Sequence, residues 1–510
     1  MSKTRIRRAL PLSTRQLFSF WAFITVIGSL TLLLFIVSIA YPKFYPSRSN
    51  ALSRRKQKSE SNGLRLYESN GLPHALVHVP LVKNAAVLNV TRSPTLPKDD
   101  RIALLVISAT RAQAIRSHLG QISRLRIAPE KFPLVISQDG DNAQVTDAIE
   151  EFTQSNPNAF FIHHKERPEP PNGLDKSGKN YFYISQHYKW ALDKVFKEMN
   201  FTTAIITEDD LDVADDFFSY FTATQRLLYE DPTIWCISAW NDNGAVSLTD
   251  RQKGEQLYRT DFFPGLGWML TSELWDELSS KWPKMYWDDW MRQGRVRKER
   301  VCIRPEVSRT LHNMSVAGKG SSNGLYKNYL MSIRLPDQPV DFSLIDMDRL
   351  KKKLYDASYG QTLSEAKQIS VDELLNSTAR LSTQYSYRVV YKDPREYRRI
   401  ANKFKLMTDF RLGIPRTAYY GVVTFLHEGL RFFLTHENLN LDLPFGSMPS
   451  SHVYLTEWEA MSKYLDFAEL YCKKTRWTGK CDPKDPDMIA WFEKKKMKKR
   501  LEAWGELKVF

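Results

Sequence analysis

The sequence predicts an α/β fold: a mostly parallel sheet with helices on both faces, a smaller α+β domain after it, and one membrane-spanning helix before it. Three observations carry this reading. From about residue 101, short apolar runs rich in β-branched residues alternate with amphipathic stretches, the pattern of successive βαβ units. Beyond about residue 336, "YSYRVVYKD" and "YYGVVTFLHEGLRFFLT" alternate like strands. Near the start, Gln16–Tyr41 holds no charged residue.

That first run is long enough for the roughly 20 helical residues that cross a hydrocarbon core, and too long for a cleaved signal peptide. Lys3, Arg5, Arg7, Arg8 and Arg15 precede it, and such positive flanks stay in the cytosol. The expected layout is a cytosolic tail at 1–15, a signal anchor at 16–41 and a flexible stem at 42–98, with the rest of the chain lumenal. The net charge is +15, but residues 1–60 hold 11 basic residues against one acid, and "EKKKMKKR" near the end adds six more. Positive charge held in flanks argues against a nucleic-acid groove.

"RIALLVIS" (Arg101–Ser108) reads as a buried strand, followed by the helix "RAQAIRSHLGQISRL". "FPLVISQD" is a second strand and "AQVTDAIEEF" a second helix. "YISQHYKWALDKVFKEM" (Tyr183–Met199) is an amphipathic helix, "TAIIT" a third strand and "TIWCISAW" a fourth. The first three strands end in polar residues: Thr110 and Arg111, Asp139, and Glu208–Asp210. Parallel α/β sheets bind ligands at the carboxyl ends of their strands, so one arginine and several acids converge on a ligand edge. Neither a P-loop nor a dinucleotide fingerprint occurs, so phosphate charge there would fall to side chains and a metal ion.

"TEDDLDVADDFF" places six carboxylates within nine positions. Glu208, Asp209 and Asp210 stand on the strand end and offer hard oxygen ligands suited to Mg²⁺ or Mn²⁺. Asp215 and Asp216 fall where a helix would start, and Asp212 lies between with no assigned role. Downstream, "PGLGW" reads as a tight loop. "YWDDWM" sets Asp288 and Asp289 between Trp287 and Trp290, where aromatic faces suit a sugar and an apolar wall suits a general base. The four cysteines are compatible with two disulfides in an oxidising lumen, with Cys472 and Cys481 close enough for a short loop. Sequons stand at Asn89, Asn200, Asn313 and Asn376.

"EDDLDVADDFFSYF", "WCISAWNDNG", "YRTDFFPGLGWML", "WPKMYWDDWMR", "CIRPEVSRT" and "GIPRTAYYGVVTFL" together resemble the N-acetylglucosaminyltransferase I family, the alpha-1,3-mannosyl-glycoprotein 2-beta-N-acetylglucosaminyltransferases. The likeness runs from about Ile102 to about Thr435. It implies a GT-A, Rossmann-like catalytic domain over 99–335, a smaller domain over 336–436 and an unassigned extension over 437–510. It implies inverting transfer of GlcNAc from UDP-GlcNAc, in β-1,2 linkage, to the α-1,3-arm mannose of a high-mannose N-glycan, by a type II protein of the Golgi membrane. Carried onto this sequence, Asp210 is the Mn²⁺ ligand, and Glu208 and Asp209 support the metal's water shell and the donor ribose. Arg111 meets the donor phosphates, Asp139 and His187 surround the uracil, and Ser322 sits in the loop that closes over the donor. Asp288 is the catalytic base, and Cys236 pairs with Cys302. A second family disulfide would need cysteines near Ala109 and Gly140, and both are missing. The same family resemblance leaves two alternatives: an O-mannose-directed GlcNAc-transferase, or a catalytically silent glycan-binding protein.

Overall fold

A computed structural model describes residues 99–316, 327–376, 378–475 and 477–495. The expected anchor and stem, Asn89, Ser322 with its loop, and the basic end of the chain from residue 496 lie outside these residues. Among the described residues no helix is long and apolar enough to cross a membrane. All of them belong to one compact unit, Asn89–Phe510.

The larger sheet has eight strands: β1 (Ala103–Ser108), β2 (Leu134–Asp139), β3 (Ala159–His164), β4 (Thr203–Glu208), β6 (Ile234–Ser238), β7 (Leu257–Thr260), β8 (Trp268–Thr271) and β9 (Val301–Pro305). Their order is β3-β2-β1-β4-β8-β6-β9-β7. The half that carries the acids, β3-β2-β1-β4, is parallel throughout, and β8 and β7 run antiparallel to their neighbours. Two short strands outside this sheet, β5 (Leu211–Val213) and β10 (Thr310–His312), pair with each other.

Strand side chains alternate between faces, and here both faces are covered. Leu104 and Val106 of β1 pack with Ile115, Leu119 and Ile122 of the Ala112–Leu125 helix and Val145 and Ile149 of the Ala143–Ser155 helix. Ala103 and Leu105 point the other way, into Tyr188 and Leu192 of the Lys176–Asp193 helix and Trp275. Burial on both sides explains why these strands read as continuous apolar runs.

Two elements differ from the sequence reading. β3, "AFFIHH", was not anticipated: it is the sheet's edge, with Phe160 exposed and only His164 buried, so it lacks the apolar run of a central strand. The helix expected to open at Tyr183 begins at Lys176, because the Asp175 carboxylate accepts a 2.7 Å bond from the Gly178 amide and caps it.

The smaller sheet has the order β11-β12-β16-β15, formed by Lys367–Ile369, Tyr387–Tyr391, Leu430–His436 and Val423–His427, and the short strands β13 (Phe410–Arg411) and β14 (Ile414–Pro415) pair with each other. A two-residue turn, Glu428 at φ 50° and Gly429 at φ 77°, closes the β15–β16 hairpin with the left-handed geometry such turns require. Tyr359, Tyr419 and Phe433 of this region share one core with Phe342, Leu350 and the main sheet.

Buried arginines fix the long connections. Arg259 bonds Asp231 at 3.0 Å, Arg297 bonds Asp261 at 2.8 Å, and Arg309 reaches both oxygens of Asp216 at 3.2 and 3.1 Å. The last pair corrects one expectation. Asp216 does precede the Phe217–Thr224 helix, but its carboxylate makes no cap bond and turns to Arg309 and the Val340 amide. A buried carboxylate without a cationic partner costs far more than an unmade cap.

Candidate active site

The carboxyl ends of β2, β1 and β4 lie side by side in the sheet, so Asp139, Arg111 and Glu208–Asp210 sit along one edge about 10 Å long. Arg111 forks across the acids: Nη1 donates to Asp210 Oδ2 at 2.5 Å, and Nη2 to Asp209 Oδ1. Glu208 Oε1 accepts from the Tyr188 hydroxyl at 2.7 Å. Burial, then the neighbouring Asp210 charge, pushes the Glu208 carboxyl up to about 7 despite Tyr188 and Arg111. Burial likewise pushes Asp209 up to about 7, against the pull of Arg111. Asp212 accepts from Gln121 Nε2 at 2.5 Å and Asn313 Nδ2 at 2.9 Å, which locks β5 to its surroundings.

These residues fit a divalent cation. Asp210 Oδ1 is buried with no hydrogen-bond partner among the described residues, an arrangement that costs free energy unless something positive meets it. His312 Nε2 stands 3.6 Å from the other Asp210 oxygen. The donor set is mostly carboxylate, as hard cations prefer.

At the other end of the edge, Asp139, His164 and His187 are buried together and could themselves hold a metal ion. Asp139 Oδ1 lies 3.4 Å from His164 Nδ1 and 3.8 Å from His187 Nδ1. Ser137 Oγ meets His187 Nε2 at 3.1 Å, and burial holds the His187 imidazole down to about 4, hence neutral near pH 7. Asp139 and His187 were expected to adjoin each other. His164 was missed with the strand that carries it, although the pair "HH" in "FFIHHKE" was a visible signal.

Asp288 is the second residue of the short Trp287–Met291 helix. Its Oδ2 accepts from Arg292 Nη1 at 2.9 Å, and the same nitrogen donates to Asp289 Oδ1 at 2.7 Å. Arg292 is buried, with Nε donating to the Phe263 carbonyl at 3.2 Å. Burial raises Asp289, but the Arg292 and Arg411 charges outweigh it and hold the carboxyl below its ordinary value. Trp287 stacks between Trp268 and Trp282 at 5.7 and 5.6 Å, with Tyr188 at 4.4 Å on the same ring. Tyr188 therefore links the Trp287 wall to Glu208, and the Asp288 charge acts on both Tyr188 and Glu208. The wall is as expected beside Asp288, but Trp287 is buried in it and presents no free face to a sugar.

The "PGLGW" loop carries three consecutive left-handed residues, Gly265, Leu266 and Gly267 at φ 70°, 51° and 88°. A Cβ on Gly267 would meet Thr310 Cγ2 at 2.6 Å, and Thr310 Oγ1 donates to the Leu266 carbonyl at 2.6 Å. The close approach that demands glycine is thus to β10. Cys236–Cys302 joins β6 to β9, and Cys472–Cys481 closes a loop in the extension.

An acid-rich carboxyl edge on a mostly parallel sheet, with a second carboxylate held beside it on an aromatic wall, brings a candidate cation site and a candidate base into one site. The chain belongs to the GNT-I family, whose model matches residues 69–443, and is a glycosyltransferase. It is 38% identical over 328 residues to an Arabidopsis thaliana alpha-1,3-mannosyl-glycoprotein 2-beta-N-acetylglucosaminyltransferase, covering 63% of this chain and 71% of that protein. Among solved structures, it resembles in part the Pyrobaculum calidifontis mannosyltransferase PcManGT with GDP-Man and Mn²⁺, at 17% identity and TM-score 0.24 over 35% of this chain and 46% of that one. It also resembles S. aureus TarS 1-349 with UDP-GlcNAc, at 9% identity and TM-score 0.24 over 34% and 47%. The chain covers under half of each of those two proteins, and overlaps this slight carry no argument about chemistry.

Proposed function

We propose that the chain moves GlcNAc from UDP-GlcNAc, with inversion, onto the α-1,3-arm mannose of a high-mannose N-glycan, the reaction its Arabidopsis relative is named for. The observation that carries this reading is the Asp288 carboxylate, held by Arg292 beside the wall that leads to Glu208. Asp288 takes the proton of the mannose hydroxyl as that oxygen bonds to the anomeric carbon, while the bond from that carbon to the diphosphate breaks and UDP leaves. One base is enough for inversion. Arg111 meets charge on the leaving diphosphate, and Asp139 and His187 hold the donor base. Asp210, through its unpartnered oxygen, would hold Mn²⁺, with Glu208 and Asp209 supporting its waters. Bound there, the ion supplies positive charge to the departing diphosphate. Ser322 would belong to the loop that shuts over the donor and excludes water. Supported by the uncharged run at 16–41 and its basic flank, we place the protein as a type II anchor in the Golgi membrane, its stem at 42–98 and its catalytic part lumenal.

The test is to incubate the lumenal part with UDP-GlcNAc, Mn²⁺ and a five-mannose N-glycan and look for one added GlcNAc. Asp210→Ala should abolish Mn²⁺-dependent transfer. Asp288→Asn should keep donor binding and lose turnover by about 10²-fold or more. Full activity in Asp288→Asn would move the base elsewhere.

A further inference from the structure

We propose that Tyr286, with Tyr181 behind it, forms the platform on which a hexose of the acceptor glycan lies beside Asp288; this rests on Asp288 being the base. The tryptophan next to that acid is spent inside the protein: Trp287 is buried between Trp268 and Trp282. Among the described residues of this turn, the most exposed aromatic face is Tyr286, 43% exposed and two residues before Asp288. Its ring lies 4.5 Å from that of Tyr181.

Both rings stand at the ligand edge. Tyr181 is in the first turns of the Lys176–Asp193 helix, which follows β3 and so starts from the carboxyl side of the sheet. Seven residues on, Tyr188 of the same helix bonds Glu208. Seven residues of helix are about 10 Å, so the platform and the transfer centre lie within the span of a short oligosaccharide.

The backbone at Tyr286 is left-handed, φ 54° and ψ 48°, an outlier for a bulky side chain. The fold enforces it. Ser185 Oγ donates to the Pro283 carbonyl at 2.7 Å, Gln186 Nε2 to the Lys284 carbonyl at 3.2 Å, and Trp282 Nε1 to the Ser185 carbonyl at 2.9 Å. The Trp290 amide then donates to the Tyr286 carbonyl at 3.0 Å. Strain imposed from several sides on an exposed residue beside the base marks a functional position. The chemistry matches a pyranose: its apolar C–H face lies on the ring, and the nearby Asp175 and Asp289 carboxylates accept from its hydroxyls.

The experiment compares Tyr286→Gly, Tyr286→Ala and Tyr286→Phe with the parent protein. Acceptor kcat/KM for the five-mannose glycan should fall roughly tenfold to a hundredfold in the Gly and Ala variants and stay within about threefold in Phe. Donor affinity, read by UDP-GlcNAc titration, should not move. Tm should not fall in Tyr286→Gly, because glycine relieves the left-handed backbone. Saturation-transfer NMR of the glycan on the UDP-loaded protein reads the platform without turnover, and its signal should vanish in Tyr286→Gly. If the parent binds the glycan and transfers nothing, the reading of Asp288 fails while the platform stands on that signal. Folded Gly and Ala variants that keep acceptor kcat/KM within about threefold would overturn the proposal, as would equal losses of donor and acceptor affinity.

Discussion

Replacing Arg292 with Met removes the guanidinium that joins Asp288 and Asp289, at 2.9 and 2.7 Å from one nitrogen. The stability cost has two parts. Each ion pair would be worth about 4 kcal/mol at 4 Å in a permittivity of about 20, but the carboxylates are 42% and 45% exposed. Solvent screening brings each pair down to roughly 1 kcal/mol. The Phe263 carbonyl also loses its donor, which adds about 1–2 kcal/mol. The sum, about 3–4 kcal/mol, corresponds to a Tm fall of roughly 3–5 °C for a chain this size. Turnover should suffer separately. Two adjacent anions without their shared cation repel, and Asp288 leaves the position from which, as proposed, it takes the mannose proton. A loss of about 10–100-fold in kcat follows, or roughly 1.4–2.7 kcal/mol of barrier, with donor affinity little changed. Arg292→Lys should fall between, because an ammonium keeps the charge and loses the fork. Thermal melts and initial rates decide it. A folded Arg292→Met with kcat within twofold of the parent would refute the idea that this arginine positions the base.

Two further outcomes follow from single contacts. Gly267→Ala should cost about 2 kcal/mol, part from its φ of 88° and part from the 2.6 Å approach to Thr310 Cγ2; adding Thr310→Ser removes that methyl group and should recover the steric part only, read by denaturant midpoints. Burial would raise Asp409, but Arg416, bonded at 2.9 Å, and Arg411 outweigh it and lower the carboxyl from 3.8 to about 2. A lowered folded pKa gives stability that is present above pH 3.8 and lost as pH falls through 2, here about 2 kcal/mol. Asp409→Asn should flatten that slope in acid-unfolding curves, and an unchanged slope would assign it to other groups.

What could be read from the sequence follows the physics of each element. β1, β2, β4 and β6 are buried on both faces, so composition alone marks them, and βα topology then brings Arg111, Asp139 and Glu208–Asp210 to one edge. β3 is an edge strand and left no such trace, and His164 was lost with it. The WDDW turn was read as acids beside aromatic faces. The acids are there, but the stack of Trp268, Trp282 and Tyr188 on Trp287 joins residues up to 99 positions apart, and no local pattern reports it. The same holds for Arg292 against Phe263 and for Asp216, whose partner Arg309 is 93 residues away.

The extension beyond residue 436 had no assigned role, and its contacts give it one in the fold. Tyr454 donates to Asp261 Oδ2 at 2.7 Å, and its oxygen accepts from the Gly421 amide at 2.9 Å. Ser450 accepts from Arg297 at 2.8 Å and donates to Glu299 at 2.7 Å. Trp458 stacks on His436 at 4.2 Å, and Glu459 accepts from the Leu412 amide at 2.6 Å. Asp261 and Arg297 are buried and stay paired in a chain cut after His436, but each loses a hydrogen bond from the extension, at roughly 1.5–3 kcal/mol apiece. Losing the buried Trp458 adds a comparable amount. Together these approach the whole stability of an ordinary domain, so a chain ending at His436 should fail to fold. A chain ending at Ala468 keeps every one of these contacts and loses the satellite cluster of Tyr471, Met488 and Phe492 with its disulfide. It should fold with a Tm only a few degrees lower. Near-ultraviolet circular dichroism and thermal melts of the two truncations separate the cases. A well-folded chain ending at His436, with a Tm within about 3 °C of the full chain, would show that these contacts are peripheral. The same chains read the site, because Arg411 stands 3.9 Å from Glu459 and 3.5 Å from Asp289. The extension therefore braces the turn that carries the proposed base, and activity should follow Tm across the two truncations.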